Sequence, residues 1–229
     1  MDIFLQQIIN GLTLGSVYAI VALGYTMVYG IIQLINFAHG EVVMIGALVA
    51  LTVIQWLAAN TPLPPLVIVL IGTGAAIPVC MLVGYALERF AYRRLRHAPR
   101  LAPLITAIGA SIVLQQVAMM IWSRNPLAFP QIIPNRVFEI GEATITLVQI
   151  AIIVASIVMM AALTLIVYRT RLGVAMRATA QNPHIAGLMG VDINHVIAAT
   201  FMLGAALAAV AGVMVGSYYG IAHYTMGSL

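Results

Sequence analysis

Apolar residues run in long unbroken blocks along this chain. Six stand out: Phe4–Tyr29, Phe37–Leu57, Leu66–Leu87, Leu101–Trp122, Ile145–Tyr168 and Val196–Tyr218. About 20 helical residues cross the hydrocarbon of a bilayer, and each block is long enough. Lipid-spanning strands alternate apolar and polar positions, whereas these blocks are continuous, so helices are predicted. The pattern predicts an all-α fold, a polytopic transmembrane helical bundle forming one domain.

Polar punctuation predicts the connections. The Thr61–Pro65 link, TPLPP, reads as a tight turn, because proline cannot continue a helix. The connection Ser123–Thr144 contains Pro and Asn and is expected to dip back onto the membrane surface. Residues 170–192, TRLGVAMRATAQNPHIAGLMGVD, form the one sizeable hydrophilic segment. Two short helices are predicted there. Gly173–Ala180 places Ala175, Ala178 and Thr179 on one small face. Asn182-Pro183 then fits an N-cap followed by Pro at the first helical position. Ile185, Leu188 and Met189 give the second helix an apolar stripe, and Gly190 is a natural stop. An Ala-faced helix beside an Arg suits a groove on a partner protein, and a membrane-surface helix suits the same composition equally.

Composition makes lipid the solvent. Hydrophobic residues are 63% of the chain and charged ones 7%, too few charges to cover a water-soluble domain. The net charge of +4 comes from arginine alone, because the sequence has no lysine. A Walker A motif needs that lysine, so this chain is not expected to bind ATP through a P-loop. The arginines form no single stripe, which argues against nucleic acid. The lone Cys80 supports neither a disulfide framework nor a thiolate metal cluster, and no cofactor is called for. Asp2 and the missing basic n-region make the N-terminus a retained span rather than a cleaved signal.

Arginine placement orients the spans. Arg89, Arg93, Arg94, Arg96 and Arg100 lie between spans three and four, and Arg169, Arg171 and Arg177 follow span five. Both connections are cytoplasmic by the positive-inside rule, with the N-terminus outside. Only Arg124 and Arg136 face outward, beside Glu139 and Glu142. Trp56 and Trp122 then mark outer ends, and Tyr85, Tyr92 and Tyr168 inner ones.

Small residues recur every fourth position in three spans: Gly11, Gly15, Ala19; Gly72, Ala76, Cys80, Gly84; and Gly204, Ala208, Gly212, Gly216. Such ridges let backbones approach closely, within one bundle or at a subunit contact. Pro78 is expected to kink span three. Gln6, Gln7, Asn10, Gln115 and Gln116 read as interhelical glue more readily than as solute contacts.

Span two opens on QLINFAHGE, which places Asn36, His39 and Glu41 at a helix start. Asn36 is expected to cap that helix at the inner interface, with Glu41 at its positive end. The alternative makes Asn36, His39 and Glu41 part of a translocation path or gate. His39 and Glu41 are two residues apart and do not share a helix face, and there is no zinc-protease spacing.

Three stretches carry a family resemblance: Gly11–Ala47 with its NFAHGE motif, the Glu88–Arg93 run ERFAYR, and Arg171–Ala180, RLGVAMRATA. Together they resemble the permease subunits of bacterial branched-chain amino-acid ABC importers, across essentially the whole chain. The resemblance implies the inner (cytoplasmic) membrane and a heterodimeric pore made with a second permease subunit. It also implies two cytoplasmic ABC ATPases and a periplasmic binding protein delivering leucine, isoleucine or valine. It makes residues 170–192 the cytoplasmic coupling segment, with Arg177, Ala178, Ala180, Ala186 and Gly190 in the ATPase contact. Members of the family continue past the position of Leu229, so this chain is expected to lack their C-terminal spans.

Other classes fit less well. An ion-coupled secondary carrier usually places paired acids or bases in mid-membrane, and the central depths read as nearly charge-free here. An intramembrane enzyme lacks a nucleophile–base or metal constellation. Within the transporter reading, urea or short-chain amides are the alternative cargo.

Overall fold

The computed structural model describes residues 2–96, 98–99, 101–131, 137–140 and 143–228. Arg100, Arg136 and Glu142, used above for orientation, lie outside them. The chain is an all-α bundle of helices α1 (Asp2–Ile32), α2 (His39–Asn60), α3 (Pro65–Ala86), α4 (Leu101–Ile121), α5 (Leu147–Arg169), α6 (Arg171–Gln181), α7 (Pro183–Leu188) and α8 (Ile193–Tyr219). A π-helical turn, Leu87–Tyr92, and a 3-10 turn, Arg93–Leu95, extend α3. Among the described residues, six helices are long and apolar enough to cross a membrane, which makes this a multi-pass membrane protein.

Local chemistry explains the helix ends. Thr146 opens α5 with a capping box, accepting from the Gln149 N–H while the Gln149 side chain accepts from the Thr146 N–H. Asp192 opens α8 by accepting from the N–H groups of Asn194 (2.9 Å) and His195 (3.2 Å). Gly220, at φ 69°, closes α8 in the left-handed conformation that favours glycine. The long connection between α4 and α5 and the segment after α8 add two small antiparallel ladders, β1 (Leu127–Ala128) with β4 (Ile221–Ala222) and β2 (Val137–Ile140) with β3 (Ala143–Thr146). The expected surface dip is thus in part a hairpin. Pro78 sits inside α3 without ending it.

The core lies between α2 and α8, the most buried spans, with α1 and α3 packed around them. Backbone contact replaces side-chain packing at their crossing. A Cβ on Gly212 would sit 2.2 Å from the Val43 carbonyl oxygen, and one on Gly46 would sit 2.6 Å from Ala209 Cα. The small-residue ridges of α3 and α8 are therefore buried within this chain. The α1 ridge is not, since Cβ atoms on Gly11 and Gly15 would meet nothing within 4 Å.

Side-chain ties fix the two ends of the bundle. At one end, the Gln6 carboxamide donates to the Thr144 carbonyl (3.0 Å) and accepts from its N–H (2.8 Å), while Asn10 accepts from Gln149 (3.2 Å). Asn10 thus ties α1 to α5, and Gln6 ties α1 to β3. At the opposite end, Arg96 donates to Asn194 at 2.8 Å, joining the connection after α3 to the first turn of α8.

Candidate functional site

Two features stand apart from plain packing: a buried polar turn between α1 and α2 and a helical segment at the basic end. The turn begins where α1 stops. Gln33 takes a left-handed φ of 50°, its N–H still bonded to the Tyr29 carbonyl at 2.8 Å, and residues 34–38 turn the chain before α2 starts. Asn36 is buried at this turn. Its Oδ1 accepts from the Ala38 N–H (3.1 Å) and from the Tyr92 hydroxyl (3.0 Å), and its carbonyl accepts from the His39 N–H (3.0 Å).

The position of this turn corrects the sequence reading in two ways. The N-cap is Ala38, with no side-chain cap, and Asn36 works two residues earlier. The helix also starts deep rather than at the inner interface. The His39 ring lies on Gly24, where a Cβ would be 2.4 Å from His39 Cε1 and 3.2 Å from the Gly204 carbonyl oxygen. Gly204 is eleven residues into α8, roughly 16 Å along its axis at the helical rise. α2 therefore begins near half-depth. Hydropathy registers composition and not depth, which is why the short polar motif looked interfacial.

The expectation of nearly charge-free central depths is corrected as well. Glu41 is 2% exposed in the interior. Its Oε1 accepts from the Ser111 hydroxyl (3.0 Å) and the Gln115 amide (2.7 Å), both on α4. His39 points the other way, its ring edge-on to Tyr25 with centroids 4.7 Å apart. His39 Nε2 and Glu41 Oε2 are buried without a hydrogen-bond partner. Beside them, Gly40 and Gly227 bound a cavity of about 100 Å³ with aliphatic and tyrosine walls. Asn36, His39 and Glu41 thus share one turn of chain while facing different helices.

The basic end was only partly legible. Glu88, within the π-helical turn, is fully buried and accepts from Arg93 Nε (3.1 Å) and Nη2 (2.8 Å) and from Arg96 Nη2. Burial holds the Arg96 guanidinium below the usual arginine range, opposed by the Glu88 charge. A cavity of about 420 Å³ opens here, lined by Tyr92, Arg96, Thr179, Pro183, Asn194 and Ile197. The sequence marked these arginines as orientation signals. The acid that gathers two of them stood in the ERFAYR run that carries the family resemblance, but its burial and its ion-pairing role had no sequence signal beyond the i+5 and i+8 spacing.

The helical segment takes the predicted form. Thr170 caps α6 by accepting from the Gly173 N–H (3.1 Å), and Asn182 caps α7 by accepting from the Ile185 N–H (3.1 Å). Gly190 follows at φ 86°. Arg177 is exposed with its guanidinium 5.1 Å over the Tyr168 ring, Ala178 and Ala180 are half-buried, Gly190 is exposed and Ala186 is buried. Val174, Ile185, Leu188 and Met189 form the outward apolar face, with Leu188 75% and Met189 81% exposed.

Fold and site together define a multi-pass helical membrane protein with a buried polar turn ahead of α2 and an ordered helical elbow between α5 and α8. Residues 7–228 match the family model described as branched-chain amino acid transport system / permease component, and the chain belongs to this family. It is 46% identical to the high-affinity branched-chain amino acid transport system permease protein BraD of Pseudomonas aeruginosa, covering 99% of this chain and 75% of the relative. It is 44% identical to the corresponding LivH protein of Escherichia coli, covering 95% and 72%. A probable LivH permease of Methanocaldococcus jannaschii is 26% identical over 92% of this chain and 66% of its own length. No solved structure matches.

Proposed function

We propose that this chain is a pore-forming permease subunit of a bacterial inner-membrane ABC importer for branched-chain amino acids, working beside a second permease subunit. Two cytoplasmic ATPases drive it, and a periplasmic binding protein delivers leucine, isoleucine or valine. The α6–α7 segment carries this reading, since an ordered elbow that leaves Leu188 and Met189 uncovered suits a groove on a partner better than water. Arg177, Ala178, Ala180 and Gly190 contribute to that contact, and buried Ala186 supports it from beneath. The turn carrying Asn36, His39 and Glu41 belongs to the solute path or its gate.

Arg177→Glu combined with Leu188→Asp, in the assembled transporter in proteoliposomes, tests the coupling role. ATP-driven leucine uptake is expected to fall at least tenfold, with loss of ATPase stimulation by the loaded binding protein. Uptake and stimulation at wild-type levels would remove α6–α7 from the coupling role. A second reading, an ion-coupled carrier, draws support from Glu41 at half-depth. Abolition of uptake by an ionophore at constant ATP would favour it.

A further inference from the structure

Resting on the permease reading, we propose that Glu41 Oε2 is the ammonium-binding point of a solute station at half-depth. The station takes a primary ammonium carried on a short aliphatic skeleton.

A buried carboxylate oxygen normally has a donor. Glu41 satisfies this rule at Oε1, where Ser111 and Gln115 hold it from α4, and breaks it at Oε2. Those two bonds fix the side chain, so the free oxygen is held in place rather than swinging. An ionisable group inside a membrane bundle is costly unless it meets a partner, and a passing cation is one way to supply it.

The surroundings suit that visitor. Oε2 lies against Gly227, where a Cβ would come within 2.6 Å of it; Gly227, and not Glu41 itself, borders the 100 Å³ cavity and separates Oε2 from it. Val17, Val21, Val43 and Val215 line that cavity, giving walls that favour an aliphatic tail. The first turn of α2 opens beside Glu41, and a helix N-terminus favours a carboxylate. An α-amino acid carries its ammonium and its carboxylate on the same carbon, so one acidic side chain beside one helix start can meet both. Among the described residues, no group of three metal-ligating side chains gathers anywhere, which suits an organic cation better than a coordinated metal ion.

Contact between backbones keeps the station small in this conformation. A Cβ on Gly40 would lie 2.0 Å from the Gly227 carbonyl oxygen. Glycine at both positions lets the turn at Met226–Ser228 seat directly on the start of α2. Shifting that turn is the movement that would enlarge the cavity toward Oε2.

The test uses the assembled transporter in proteoliposomes, with leucine as the probe. Glu41→Gln keeps an acceptor for Ser111 and Gln115 and replaces the free oxygen with an amide. Leucine carried per ATP hydrolysed is expected to fall at least tenfold, with binding-protein-stimulated ATPase within twofold of wild type. Glu41→Asp is expected to recover part of the loss. Trp122→Phe, which cuts the Trp122–Thr52 bond (2.7 Å) tying the same two helices away from the station, is expected to leave the ratio unchanged. An unchanged ratio in Glu41→Gln overturns the assignment. So does an equal loss in Trp122→Phe, or a parallel fall of uptake and ATPase, because each would make Glu41 a brace between helices. A wild-type assembly that hydrolyses ATP yet carries no leucine would overturn the branched-chain reading itself, and the assignment with it.

Discussion

The Tyr92 hydroxyl donates to Asn36 Oδ1 at 3.0 Å, joining the π-helical end of α3 to the turn between α1 and α2. Both residues are buried, and the Tyr92 ring also packs on Phe201 of α8 with centroids 5.0 Å apart. One side chain thereby braces the turn against two helices. Tyr92→Phe keeps the ring and removes only the bond. A loss of about 1 kcal/mol is expected, since Asn36 Oδ1 retains the Ala38 N–H. Thermal unfolding in detergent reads it, and an unchanged midpoint would show that the bond contributes nothing.

Glu88 holds Arg93 and Arg96 together, so its removal strands two cations at the basic end of the bundle. Glu88→Ala should destabilise the chain by about 3 kcal/mol, below the top of the range for a broken buried pair because both arginines are partly wet. Glu88→Gln should recover part of that loss through hydrogen bonding. The folded fraction on size-exclusion chromatography after heating gives the comparison. Equal behaviour of the Ala and Gln variants would mean that packing, and not charge pairing, matters there.

Gly212→Ala would force a methyl group against the Val43 carbonyl at the crossing of α2 and α8. Overpacking of this kind costs about 1–3 kcal/mol, felt as a lower unfolding midpoint. Gly11→Ala should be neutral or stabilising in the isolated chain, since its added carbon meets nothing and alanine favours helix. If both variants melt alike, close backbone approach is not what holds the core.

Asp192 couples stability to acid. The hydrogen bond from the His195 side chain holds its carboxyl below the usual aspartate range, at a fully exposed helix start. A depressed carboxyl contributes stability above its unfolded value, near pH 4, and loses it as pH falls through its folded value. Asp192→Asn keeps a good N-cap residue and removes the charge. The melting difference between wild type and variant should be present at pH 7 and close below about pH 4. A difference independent of pH would contradict the charge's role.

Much of this fold was written in the one-dimensional pattern. The six apolar blocks became the six spanning helices with ends displaced by a few residues, because length and continuity decide what lipid accepts. Asn182 sits beside the chain it caps, so the second elbow helix was legible down to the stop at Gly190, while the first, expected from Gly173, starts at Arg171 under a Thr170 cap. What stayed hidden depends on distant partners or on depth. The Gln6–Thr144 clamp joins residues 138 apart, and Glu41 meets Ser111 and Gln115 across 70 and 74. Only folded coordinates reveal such meetings. The half-depth start of α2 was missed for a related reason: a polar motif reads the same in sequence whether it sits in a headgroup layer or among helices.

The turn ahead of α2 also bears on electrical leakage. Asn36 and Ala38 are buried in the looped chain between α1 and α2, so insulation there depends on packed side chains and not on acyl tails. The tyrosine and asparagine at the loop are thus sealing parts as much as structural ones. A transporter loosened at this point would squander the proton gradient of its cell even while carrying no cargo.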